Sequence, residues 1–177
     1  MTADPDLARD VDSRCRLTGE FTLRSGQVSH EYFDKYLFET DPTLLARVAA
    51  QMATLLPDEA GQLLGGLEMG GIPLVTALSA HTGLPALFVR KQAKDYGTNK
   101  LAEGPDVAGR TVVLIEDVIT TGGAVRDATR ALRDAGANVE LVICAIDRSP
   151  AGGNPLADVG LEIRSVLTKA DLDGVRS

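Results

Sequence analysis

The chain is short of positive charge, of cysteine and of long apolar runs, and each shortage closes off a class of function. Its 177 residues carry 18 Lys and Arg against 25 Asp and Glu, a formal net charge of −7. General nucleic-acid binders displace counterions with a basic surface, so no nucleic-acid partner is expected. No apolar run is long enough to cross a bilayer, so no membrane role is expected either. The opening residues, MTADPDLARD, are acidic and polar and do not read as a signal peptide. The two cysteines, Cys15 and Cys144, match no metal-ligand spacing. Cys144 sits in the apolar run LVICAI, where a buried inert thiol is expected. Together these readings place the protein in the cytoplasm. Two phosphate-binding motifs are missing as well: neither GxxxxGK[ST] nor GxGxxG occurs.

What is present suits one domain spanning 1–177. Hydrophobic residues make up 44% and charged residues 24%, a globular balance. The runs TVVLIE at 111–116 and ELVICAI at 140–146 are apolar without alternation, as in strands buried on both faces of a parallel sheet. Between them Ala124, Ala128, Leu132 and Ala135 recur at helical spacing over 123–135, and Gly136 follows as a C-terminal stop. A second strand–helix–strand unit is predicted at 62–67, 72–82 and 86–89, with Pro73 in the helix's first turn and Gly83 after it. Asp41-Pro42 signals an N-cap and first position for a helix reaching about residue 56. A last strand is predicted over 162–167, with Thr168 capping a short helix. The fold class is therefore α/β with a mainly parallel central sheet flanked by helices. Two regions break this rhythm. Residues 21–34 read as a hairpin within a small N-terminal hood of about 1–38. Residues 95–109 form a long polar segment, expected to be a flexible loop.

The chemistry concentrates in VVLIEDVITTGGA. A buried strand leads to two acids, Glu116 and Asp117, and through Val118 and Ile119 to Thr120, Thr121, Gly122, Gly123 and Ala124, where a helix begins. Ligands of open parallel sheets bind beyond the strands' C-terminal ends. Free N–H groups at a helix start, with glycine giving close approach, favour a phosphate. Ionised carboxylates only accept hydrogen bonds and so suit sugar hydroxyls. A plain turn capped by threonine would explain TTGG alone. The acid pair argues for a ligand, because charge at the end of a core strand costs desolvation. The scarce cations gather in RKQAK at 90–94, either as a solvated surface run or as a site for a polyanion.

This segment resembles the 5-phosphoribosyl 1-pyrophosphate (PRPP) signature of the type I phosphoribosyltransferases. FTLRSG, the YFD of Tyr32–Asp34, GGIP at 70–73, VRKQAKDYG at 89–97 and the IDR of Ile146–Arg148 follow the order seen in the orotate-specific members. The likeness covers nearly the whole chain. It implies that Thr120–Ala124 cradle the 5′-phosphate and that Glu116 and Asp117 face the ribose. Arg24, Arg90, Lys91, Lys94 and Tyr96 then meet the rest of the donor, with Lys94 and Asp117 as the catalytic pair. Tyr32, Phe33, Thr120 and Arg148 would hold orotate, the guanidinium forking onto its carboxylate. The resemblance also implies Mg²⁺ carried on the substrate rather than by protein ligands, and a homodimer in which loop residues serve the neighbouring site. The activity implied is orotate phosphoribosyl transfer in pyrimidine synthesis. Transfer to uracil or a purine base, or a nucleotide-sensing regulator on the same fold, are the alternatives.

Two positions depart from the family pattern. Gly70 stands where many members carry lysine, so backbone N–H groups must serve there. Tyr96 stands where many carry histidine, and a phenol does not become cationic near neutral pH. The resemblance also implies a non-proline cis peptide near Glu68–Met69. Of the two histidines, His81 reads as structural, and His30 has no assigned role.

Overall fold

The computed structural model describes residues 4–22, 26–58, 62–91, 101–150 and 153–176. Six strands form the central sheet in the order β5-β4-β3-β6-β7-β8. They are β3 (Leu63–Leu67), β4 (Ala86–Val89), β5 (Ala102–Glu103), β6 (Val112–Ile119), β7 (Leu141–Asp147) and β8 (Glu162–Thr168). All neighbours are parallel except β4 and β5.

Continuous apolar strands are explained by helices on both faces. Along β6, Val113 and Ile115 pack on one side with α3 (Pro42–Ala53) and α4 (Gly71–Thr82), while Val112 and Leu114 pack on the other with Val125, Ala128 and Leu132 of α5 (Gly123–Asp134). The period of two that alternates a strand's side chains thus feeds two cores. Glycine in β3 lets α4 close in: a Cβ on Gly66 would lie 2.4 Å from Val75 Cγ1 and 2.6 Å from the Gly71 carbonyl.

The expected α/β frame is present, with several corrections. The strand expected to end at Glu116 runs on to Ile119, because Val118 and Ile119 ladder onto Ile146 and Asp147. The acid pair therefore lies within β6 rather than at its end. The helix expected to reach residue 56 ends at Ala53, where Thr54 and Leu55 close the last turn. The flexible loop expected over 95–109 is narrowed from its C-terminal side. Ala102–Glu103 pairs with Val89 and Phe88, and Val107 is buried. Residues 95–100 of that segment lie outside the described residues.

The hood is a helix, a hairpin and a helical turn. Strands β1 (Arg16–Thr22) and β2 (Val28–Phe33) are antiparallel, followed by α2 (Tyr36–Glu39). The preceding helix, α1 (Pro5–Cys15), is not among the expected elements. Its signals are the same Asp-Pro start as α3, with Asp4 accepting from the Asp6 and Leu7 amides, and buried Leu7, Val11 and Cys15 at i, i+4, i+8. Thr168 caps α6 (Lys169–Gly174) through a reciprocal box with Asp171, as expected. None of the helices among the described residues is long and apolar enough to cross a membrane.

Candidate active site

The C-terminal ends of β3, β4, β6 and β7 converge at one rim, and each delivers part of a site. β6 supplies the acids. Asp117 is 1% exposed, and its Oδ1 accepts from the Val118 amide at 2.5 Å. Its neighbour Glu116 has a buried Oε2 with no hydrogen-bond partner. Burial, reinforced by the neighbouring Asp117 charge, raises the Glu116 pKa well above the carboxylate range.

The turn after β6 is no threonine-capped turn. Gly122 is the N-cap of α5 in left-handed geometry (φ 70°), with no side chain satisfying the helix start. Thr120 and Thr121 are exposed beside it. The first-turn N–H groups thus stay available to an anion. Only glycine serves at Gly122, since a Cβ would also lie 2.6 Å from Leu156 Cδ2.

The loop after β3 lies against the acids. Its Glu68–Met69 peptide is cis, as expected. A Cβ on Gly70 would stand 1.6 Å from Asp117 Oδ2, and one on Gly71 2.5 Å from the Ile115 carbonyl. Glu68 bridges to the end of β4: its Oε1 accepts from the Lys91 amide at 2.5 Å, and its own amide donates to the Val89 carbonyl. Arg90 faces Glu103 at 3.9 Å. A cleft of about 700 Å³ joins Glu68, Arg90 and Lys91 to Gly123 and Ala124, the start of α5. Lys94 and Tyr96 of the same cationic run, and Arg24 in the hood, lie outside the described residues.

Arg148 follows β7, its amide donating to the Ile119 carbonyl at 2.8 Å, and its guanidinium carbon lies 5.7 Å from the Phe33 ring centroid. A second cleft, of about 540 Å³, opens between these two residues and Arg16, Lys169 and Arg176. Tyr32 does not join them. Neighbouring residues of a strand face opposite ways, and Tyr32 stacks on Phe21 with ring centroids 5.5 Å apart. Of the expected pair, the structure brings only Phe33 to Arg148.

Two charged residues outside the expected set join this site. Lys35 forms an ion pair with Asp117 Oδ2. Glu39, 3% exposed, has both carboxylate oxygens without a hydrogen-bond partner. Its pKa is pushed up to about 8, chiefly by burial and then by the Asp117 charge. Lys35 directly follows the YFD run, which is the signal that could have drawn attention to it. Among the described residues, no group of three or more His, Cys, Asp or Glu side chains could hold a metal.

Residues 44–162, from α3 to the start of β8, match the phosphoribosyl transferase domain, which defines the class of this fold and site. Full-length comparison narrows the class. The chain is 72% identical over 176 residues to an orotate phosphoribosyltransferase of Nocardioides sp., covering 99% of this chain and 98% of that one. The orotate phosphoribosyltransferase of Mycobacterium tuberculosis, solved with Fe(III) dicitrate, superposes with a TM-score of 0.84 at 34% identity, over 95% of this chain and 97% of that one. The same enzyme solved with PRPP gives 0.78 at 33% identity, over 96% and 98%. The chain belongs to the orotate phosphoribosyltransferases.

Proposed function

We propose that this protein transfers the 5-phosphoribosyl group of PRPP to a ring nitrogen of orotate, giving orotidine 5′-monophosphate and pyrophosphate in pyrimidine synthesis. The observation that carries the reading is the junction of β6 and α5. Carboxylates and an uncapped helix start follow one another on one rim, matching ribose and then phosphate.

The free amides of Thr120–Ala124 take the 5′-phosphate, and Glu116 and Asp117 face the ribose hydroxyls. Arg90 and Lys91 lie across the 700 Å³ cleft from that turn, on the side where pyrophosphate departs. As the bond from the ribose carbon to pyrophosphate breaks, negative charge grows on the leaving group, and fixed cations stabilise it more than the ground state. The ribose carbon becomes oxocarbenium-like beside the carboxylates. Orotate's ring nitrogen enters deprotonated or loses its proton late, so no general base is required. Phe33 walls the acceptor ring, Thr120 lies beside it, and Arg148 takes its carboxylate.

Mg²⁺ takes hard oxygen ligands. Carried by the donor rather than by protein ligands, it would offset the donor's charge while Glu116 and Asp117 face the sugar. By the family resemblance, Lys94 completes the leaving-group site from the neighbouring subunit of a homodimer. The test is an assay of orotate, uracil and purine bases with PRPP and Mg²⁺. Orotate alone is expected to react. Turnover of uracil without turnover of orotate would reject the assignment.

A further inference from the structure

We propose that Lys35, carried by the hood, is the donor-site cation facing the Glu68–Gly70 loop, holding Asp117 for the ribose and offsetting its charge against incoming PRPP. This rests on the donor reading above and adds a residue to it.

Three elements meet at one oxygen. Lys35 pairs with Asp117 Oδ2, and the missing Cβ of Gly70 would fall 1.6 Å from the same atom. The ammonium therefore stands beside the backbone of the loop, where Gly70 contributes no side chain. Glu39 approaches from α2 as a further buried carboxylate. Without Lys35, the buried Asp117 carboxylate would stand at the rim with no cation paired to it, and a polyanionic donor would meet repulsion.

Lys35 is also placed to respond to a ligand. Its side chain is 33% exposed while that of Asp117 is 1% exposed, so one partner is fixed and the other reaches solvent. The ammonium lies 5.3 Å from the Tyr36 ring centroid, a second contact that keeps it at the rim. Burial alone would weaken its charge. The hydrogen bond and attraction to Asp117, with smaller help from Tyr36 and Glu116, instead raise its pKa, so it meets the donor as a cation.

The experiment compares Lys35→Met and Lys35→Arg with wild type, measuring KM for PRPP, KM for orotate, kcat, and inhibition by inorganic pyrophosphate. Lys35→Met is expected to raise the KM for PRPP and the inhibition constant of pyrophosphate about ten- to a hundredfold, the size of one hydrogen bond to a charged group. The KM for orotate stays near wild type, and Lys35→Arg recovers most of the loss. A folded Lys35→Met with wild-type PRPP and pyrophosphate constants overturns the proposal. So does an equal loss in the donor, acceptor and turnover constants, which marks a merely structural lysine. Should Lys35→Met not fold, Lys35→Met/Glu39→Gln removes one buried carboxylate along with the cation, and its PRPP and pyrophosphate constants are read by the same criteria. A wild-type protein that binds no PRPP would overturn the donor site itself, a result separate from any Lys35 variant.

Discussion

At Gly70 a single hydrogen atom leaves room for the Asp117 carboxylate. The Asp117 carboxylate occupies the volume a side chain would need, and Asp117 is itself fixed by its Val118 hydrogen bond and the Lys35 pair. Gly70→Ala must therefore displace either the loop or the carboxylate. Gly70 lies in a turn at the rim rather than in either core cluster, so the fold survives. Thermal unfolding of Gly70→Ala should stay near wild type while the KM for PRPP rises about tenfold or more, as for loss of one charged contact. Wild-type donor kinetics in this variant would show that Asp117 moves freely and has no fixed role. Glu39 gives a second prediction. Its carboxyl titrates near 4.5 when unfolded but near 8 in the fold. Between those values the folded state holds a proton that the unfolded chain releases, so the stability Glu39 contributes is fully present below about pH 4.5 and is lost as pH rises towards 8. The slope for one such proton is about 1.4 kcal/mol per pH unit. In denaturant titrations at several pH values, Glu39→Gln should flatten this decline, leaving the share contributed by Glu116. An unchanged slope would mean that Glu39 finds a partner in solution.

Among the elements, the sheet and its helices were legible where one local rule acted alone. Residues 86–89 form β4 as expected, and Thr168 caps α6, because apolar runs and cap residues report directly on local backbone. The end of β6 was less legible. Val118 and Ile119 sit between acids and a glycine turn, and only pairing with Ile146 and Asp147 makes them strand. Helix α1 was hidden by its acidic composition, although Leu7, Val11 and Cys15 carry its buried stripe. The glycine turn that opens α5 could be read because its residues are contiguous. The Lys35–Asp117 pair could not, since some eighty residues of chain separate its members. The close approach of β3 and α4 yields an element-scale prediction. Gly66→Ala places a methyl against Val75 and the Gly71 carbonyl, inside a core that has no room for it. Overpacking of this kind costs about 1–3 kcal/mol. Equilibrium denaturation should show the loss, with the KM for PRPP rising too, because the same shift pushes the start of α4 and its preceding loop off Asp117. A variant as stable as wild type would show that β3 and α4 separate at little cost.

For the whole molecule, the governing fact is a net charge of −7 on a protein proposed to bind a polyanion. Electrostatic steering over the surface therefore works against the substrate, and affinity must come from a few cations gathered at one rim. Arg90, Lys91 and Lys35 lie on that rim within one chain. Lys94 is proposed to arrive from the second subunit, which makes dimerisation part of the site rather than an accessory to it. This can be separated from action within one chain by mixing two inactive variants. In Lys94→Ala the acids are intact, and in Asp117→Asn the loop cation is intact. If the cation crosses between subunits, a mixed dimer has one site with both groups and one with neither. Random exchange in a two-fold dimer makes half the dimers mixed, so activity should recover to about a quarter of wild type. If Lys94 serves its own chain, each mixed dimer holds two defective sites, and the mixture never exceeds the average of its parents. Recovery on co-expression, absent when the purified variants are mixed without subunit exchange, would place the shared site at the dimer.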